Sequence, residues 1–253
     1  MKIDFNADLG ESYGMYQMGN DEALLDVISS CNIACGFHAG DFQTIPLTVA
    51  WAIDKGVSIG AHPSFYDLHG FGRRPIPHTT DEIYHLMIYQ LGAIDGFVKI
   101  AGGRLNHVKP HGALYNMAAK DVELANAIAR AVKDYDDEIV LFGLAGSQLI
   151  EAGKEVGLET AQEAFADRRY QADGSLTPRT EEGAVLYQTE EVIEQALKIV
   201  TEGKVRSIDD DWIELNADTI CFHGDTPEAV NHAVACKQAL EKQGIEITTT
   251  FGM

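Results

Sequence analysis

Apolar and polar positions along this chain switch repeatedly between two periods. Short apolar runs at residues 3–7, 30–35, 57–61, 105–109, 139–144, 158–162 and 219–222 read as strands. Each is followed, directly or after a loop, by a stretch with apolar positions three and four apart, which reads as a helix. These helices are expected at 21–29, 44–55, 80–100, 118–135, 145–156, 190–202 and 227–242, with one last short strand at 245–249. In the 118–135 stretch the apolar stripe runs through Val122, Ala125, Ile128, Ala129 and Val132. Start signals support the scheme: Asn20 or Asp21 can cap the first helix, and Thr79 with Glu82 forms a capping box for the third. Strands alternating with helices through mostly short connections point to parallel βα units.

What ends the strands is more telling than what builds them. The apolar runs stop at Asn6-Ala7-Asp8-Leu9-Gly10-Glu11, Gly36-Phe37-His38-Ala39-Gly40-Asp41, Gly60-Ala61-His62-Pro63, Lys109-Pro110-His111-Gly112, a plainer Gly143-Leu144-Ala145-Gly146, Glu163-Ala164-Phe165-Ala166-Asp167-Arg168-Arg169, and His223-Gly224-Asp225-Thr226-Pro227. An open doubly wound sheet concentrates functional groups at one switch point, whereas a closed barrel brings every strand's C-terminal end to one rim. Six charged clusters after seven strands favour the barrel. The expected fold is therefore α/β, a single domain over residues 1–253, built as a parallel (β/α) barrel of seven or eight strands, TIM-barrel-like. Two connections, 63–80 and 165–182, are long enough to be functional or mobile.

Composition narrows the function. With 253 residues, 45% of them apolar, the chain can bury one large core. A formal charge of -20 argues against nucleic acid and against anionic membrane surfaces, both of which call for clustered Lys and Arg. The opening Met1-Lys2-Ile3-Asp4 meets an acid at once, and no apolar run approaches bilayer length, so a cytoplasmic location is expected. Cys31, Cys35, Cys221 and Cys236 form no CxxC pair and read as buried thiols; a nucleophilic Cys221 beside His223 is the less favoured alternative.

Candidate chemistry gathers at the strand ends. His38, His62, His111 and His223 each lie just past an expected strand, where imidazoles can transfer protons near neutral pH or bind a metal. A lone histidine in such a place is usually a packed residue; four of them at four strand ends shift the balance. His69, His78, His85, His107 and His232 read as loop or helix-surface residues. Asp8, Glu11, Asp41, Asp167 and Asp225 share the same loops, while the other acids read as solvated surface. Asp8, His62 and His111 would make a one-carboxylate, two-imidazole site for a divalent metal, although no short ligand motif supports it. Five of the eight arginines, Arg73, Arg74, Arg168, Arg169 and Arg179, fall in the two long loops, suited either to an anionic ligand or to pairing with local acids. Lys109 is a candidate for an oxyanion or an ordinary buried ion pair. There is no GxxxxGK[ST], GxGxxG or GxSxG; the nearest string, Gly153-Lys154-Glu155, lacks the required hydroxyl and glycine.

Strings at these clusters closely resemble the LamB/YcsF family. The matching segments run from Asp4 to Glu11, Asn32 to Asp41, Gly60 to Ser64, Gly70 to Arg74, Val108 to Tyr115, Glu163 to Tyr170, and His223 to Pro227, with no departure at a charged position. The resemblance implies ATP-coupled ring opening of 5-oxo-L-proline to L-glutamate by a 5-oxoprolinase, in a complex with B and C subunits that handle much of the ATP. Within these clusters and the two long loops, catalytic roles are expected of Asp8, Glu11, His38, Asp41, His62, Lys109 and His111, and substrate binding of Arg73, Arg74, Tyr115, Asp167, Arg168, Arg179, His223 and Asp225. The family is similar in fold to barrel-like carbohydrate deacetylases and glycosidases, an analogy of fold alone. Two alternatives remain: a metal-dependent amide or acetyl hydrolase acting alone, and a non-catalytic subunit that binds the lactam.

Overall fold

A computed structural model describes residues 1–222, 228–249 and 251–252. The strands are β1 (Lys2–Leu9), β2 (Ser30–Ala34), β3 (Ser58–His62), β4 (Leu105–Val108), β5 (Val140–Leu144), β6 (Thr160–Phe165), β7 (Lys204–Arg206), β8 (Trp212–Glu214), β9 (Thr219–Phe222) and β10 (Glu246–Ile247). The helices are α1 (Asp21–Leu25), α2 (Thr44–Lys55), α3 (Thr80–Ile100), α4 (Gly112–Ala118), α5 (Val122–Tyr135), α6 (Gln148–Glu155), α7 (Thr189–Glu202) and α8 (Ala229–Lys242). Parallel pairing runs β1-β2-β3-β4-β5-β6-β9, and β9 pairs back onto β1 through Asp4 to Ala7, closing a ring of seven strands. The eight-stranded alternative is not realised. β10 pairs only with Lys2 and Ile3 at the start of β1 and stays outside the ring.

Because side chains alternate across a strand, each strand of a closed barrel sends one set inward and the other out to the helices. On β1 the outward set includes Ile3, Phe5, Ala7 and Leu9, all buried against the helical layer, and Phe5 meets Phe222 of β9 at 4.8 Å. The inward set is Asp4, Asn6 and Asp8, also buried. The main core therefore lies between barrel and helices, and part of the barrel interior is polar. At the lower end a separate small cluster of Val140, Phe142, Ala161 and Phe251 fills the space.

Several local details differ from the sequence pattern. The helix expected over 118–135 begins later, as α5 at Val122, because the Asp121 carboxylate accepts from the backbone of Glu123 and Leu124, and Ala118 instead ends the separate α4. The helix expected at 21–29 ends at Leu25. The antiparallel β7–β8 hairpin has strands of three residues, too short to show an alternating pattern. The Thr79–Glu82 capping box is present as expected. His107 is not a surface residue: it lies on β4, fully buried, stacked on Phe142 at 4.1 Å. His232 is buried too, on α8. All four cysteines are buried free thiols. Among the described residues no helix is long and apolar enough to cross a membrane.

Candidate active site

The strand ends converge on one cavity of about 540 Å³, whose wall includes Asp8, His62, Lys109, His111, Tyr115 and Arg168, together with Arg73 and Arg179. Asp8 belongs to β1 and His62 to β3, so rigid strands hold both, whereas Lys109 and His111 lie just past β4. Glu163, on β6, stands behind the wall, against Lys109 and Tyr115. It is fully buried, and the sequence pattern does not single it out as a site residue.

Lys109 is the hub. Its ammonium lies 2.8 Å from Asp8 Oδ1, 2.7 Å from Glu163 Oε1 and 3.1 Å from Cys221 Sγ. Burial works against its charge, yet Asp8, Cys221 and Glu163 together hold its pKa well above the ordinary lysine value. Asp8 Oδ1 also accepts from Asn32 Nδ2 at 2.9 Å, and Tyr115 donates its hydroxyl to Glu163 Oε2 at 2.7 Å. Burial and then Glu163 push the Tyr115 phenol well up, so it remains a donor. Burial likewise pushes up the Cys221 thiol, which disfavours a nucleophilic thiolate there.

Three imidazoles pack beside this hub. His38 stacks on His111 with centroids 3.8 Å apart, and His62 stands edge-on to both. His62 Nδ1 lies 2.7 Å from the Lys109 carbonyl and His111 Nε2 lies 2.9 Å from the Phe71 carbonyl. The backbone of Gly72 braces the group: with φ +63, it sits where a Cβ would come within 2.8 Å of His38 and 3.0 Å of His111. Burial lowers the pKa of His38 and of His111 well below the ordinary imidazole value, so both are neutral. Glu11 Oε1 is 3.5 Å from His38 Nε2 and 3.7 Å from His111 Nδ1. Glu11, His38, His62 and His111 offer donor atoms all within 4.8 Å of one another, a cluster able to hold a metal ion. The expected trio of Asp8, His62 and His111 is thus regrouped: Asp8 stands 3.3 Å from His62 Nε2 but is engaged by Lys109 and Asn32.

The remaining expected residues have partners of their own. Asp41 is outside the cluster; its carboxylate accepts from the backbone of Gly14, Gln43 and Thr44 at the start of α2. Arg74 makes a two-nitrogen contact with Asp67, which holds that carboxyl below its usual range. Arg168 is buried and donates to the carbonyls of Thr177 and Ala184, bracing the loop after β6. Burial and the neighbouring Arg179 bring its pKa down to about 10. The start of that loop is fixed by Gln195 on α7, whose amide donates to the carbonyls of Phe165, Ala166 and Arg168. Arg73 lies over the Phe71 ring, and Asp167 is buried in the same loop as Arg168. His223 and Asp225 fall outside the described residues.

A model of the LamB/YcsF family matches residues 3–253. The chain belongs to the LamB/YcsF family. Among its relatives, a protein of Tolumonas auensis named as the A subunit of 5-oxoprolinase is 54% identical over 97% of this chain and 98% of that protein. A protein of the same name from Oceanobacillus iheyensis is 51% identical over 97% of this chain and 96% of its own length. The crystal structure of a lactam utilization protein from Thermus thermophilus superposes with a TM-score of 0.93 at 44% identity, covering 98% of this chain and all of that one. A family 4 carbohydrate esterase from Streptomyces lividans shares the fold alone, with a TM-score of 0.51 at 13% identity over 99% of this chain and 93% of that one.

Proposed function

We propose that this LamB/YcsF member is the A subunit of a 5-oxoprolinase, opening 5-oxo-L-proline to L-glutamate with ATP hydrolysis. The observation that carries the reading is the identity of 50 to 54%, over nearly the whole chain, with proteins bearing that name. The cavity supports it chemically. Ring opening adds the oxygen of water to the lactam carbon, breaks the ring C–N bond and releases the nitrogen as an amine. A base near that carbon and a cation near its oxygen are needed, and Asp8 and Lys109 supply them within 2.8 Å of each other. Arg73 and Arg179 at the cavity wall suit the substrate carboxylate.

An unactivated lactam is a poor electrophile, and coupling to ATP removes that barrier by phosphorylating its oxygen, so that water adds to an activated imidate; departure of the ring nitrogen leaves an acyl phosphate, which a second water hydrolyses to glutamate and phosphate. ATP is handled with B and C partner subunits, in the cytoplasm, since the chain lacks a phosphate loop of its own. The test is glutamate release from 5-oxoproline and ATP by this chain alone and with its candidate partners. Release that requires both ATP and the partners supports the reading. Release by the chain alone without ATP overturns it in favour of a stand-alone hydrolase.

A further inference from the structure

Both His62 and His111 have their tautomers decided by backbone. A carbonyl only accepts, so the nitrogen facing it must carry the proton: Nδ1 of His62 toward Lys109, and Nε2 of His111 toward Phe71. Each ring then turns its other nitrogen inward, His62 Nε2 and His111 Nδ1, and these two atoms face one another at 3.0 Å. Asp8 Oδ2 at 3.3 Å from His62 Nε2 and Glu11 Oε1 at 3.7 Å from His111 Nδ1 are acceptors as well. Beside them His38 is buried with neither ring nitrogen hydrogen-bonded among the described residues. Carboxylate oxygens and ring nitrogens converge here, and the N–H that each ring gives to its carbonyl is turned away from the meeting point. A proton on His62 Nε2 would serve one pair and leave His38 unserved; a divalent cation serves all.

We propose that Glu11, His38, His62 and His111 form a binding site for one divalent first-row transition ion of the Zn2+ type. Donors bound at about 2.1 Å to a common ion stand about 3.0–3.5 Å apart, close to the 3.0 Å, 3.5 Å and 3.7 Å separations seen between these atoms. Carbonyl bonds from the outer ring nitrogens are what orient and enrich imidazole ligands. Three imidazoles and one carboxylate favour zinc, iron, cobalt or nickel over magnesium or calcium, which take oxygen. His62 and His111 line the cavity while Glu11 and His38 do not, so the ion would have protein behind it and the cavity in front. There it can polarise a bound carbonyl. The site stands independently of the lactam reading, because its readout is bound metal rather than turnover.

The experiment uses untagged full-length protein, stripped with chelator, dialysed against Zn2+ and assayed for metal after desalting. One Zn2+ per chain is expected, unaffected by millimolar Mg2+, and Co2+ in its place should give visible d–d absorption of a nitrogen-rich site. His38→Asn and Glu11→Gln should each weaken Zn2+ binding by at least about tenfold. His85→Asn, which alters an exposed histidine, should not. Clearly substoichiometric Zn2+ in the wild type overturns the proposal whatever the variants do, and leaves a proton on His62 as the group between the rings. Full Zn2+ retention by a correctly folded His38→Asn variant, judged by circular dichroism, overturns it equally.

Discussion

Two groups of buried polar side chains share the inside of one barrel, and they are built on opposite principles. In the lower group Asp4 accepts from Ser29, Ser30 and Thr219, Thr219 accepts from Asn6, and Asn32 bridges Asn6, Asp8 and His107. Donors there meet acceptors. In the upper group one lysine faces two carboxylates, and two imidazole nitrogens face each other, each ring's carbonyl-bound N–H being turned away. Burial is as complete in one as in the other, so burial does not mark the site. What marks it is electrostatic imbalance, which a folded protein tolerates where an ion or substrate restores the balance.

The largest effect expected from this contrast comes from Lys109→Met. It removes the cation that offsets two buried carboxylates, Asp8 and Glu163, which costs about 3–5 kcal/mol in urea unfolding. Turnover of the complex should fall on the order of a hundredfold or more, as for loss of a preorganised oxyanion donor. Adding Glu163→Gln should recover much of the stability and none of the turnover. If turnover returns with stability, Lys109 is scaffold, and the upper group differs from the lower only in its charge.

Much of this arrangement is legible in the sequence, and the rest is hidden for identifiable reasons. The order of strands and helices follows from periodicity, and the rim from the punctuation of His, Gly and Asp after each apolar run. Glu163 is visible in retrospect: with Ala161 and Phe165 it keeps the alternation of a strand that runs three residues beyond its expected end. His107 alternates in the same way with Lys109, and that parity alone places it inside. The partners of Asp41 and Arg74, the amide groups at a helix start and Asp67, are contacts that no periodicity announces. Ring size is hidden as well, because β9 closing onto β1 is a pairing between distant residues.

The lower group sharpens the comparison through pH and packing. Burial pushes the His107 pKa down to about 3, so the folded state stays neutral where an unfolded histidine gains a proton. Stability from this group is present above the ordinary imidazole value and is lost as pH falls from there toward about 3. His107→Gln should flatten that acid limb in urea titrations, with turnover at neutral pH changed less than about threefold, inside the range of an indirect structural effect. An unaltered limb would mean that His107 is not what the acid side titrates. Gly60→Ala should come next. Its Cβ would fall well inside contact distance of His107 Nε2, so the ring must move at a cost of about 1–3 kcal/mol. Zn2+ retained after desalting, set by the upper group, should be untouched.

Asp4→Asn is the mildest test and the most discriminating. Burial raises the Asp4 pKa, with three hydroxyl donors offsetting part of that shift. A carboxyl whose folded pKa is raised binds its proton more tightly in the folded state, so it favours folding at low pH, and that contribution is lost as pH rises through the raised value. Asparagine has no such proton, and it can still accept from one hydroxyl while donating to another. Stability of Asp4→Asn relative to wild type should therefore rise with pH above the ordinary aspartate range, by an amount comparable to one net hydrogen bond, about 1 kcal/mol. A pH-independent difference would show that the Asp4 network is held by a carboxylate at all pH values. The lower group would then carry an uncompensated charge like the upper one, and imbalance would no longer distinguish site from scaffold.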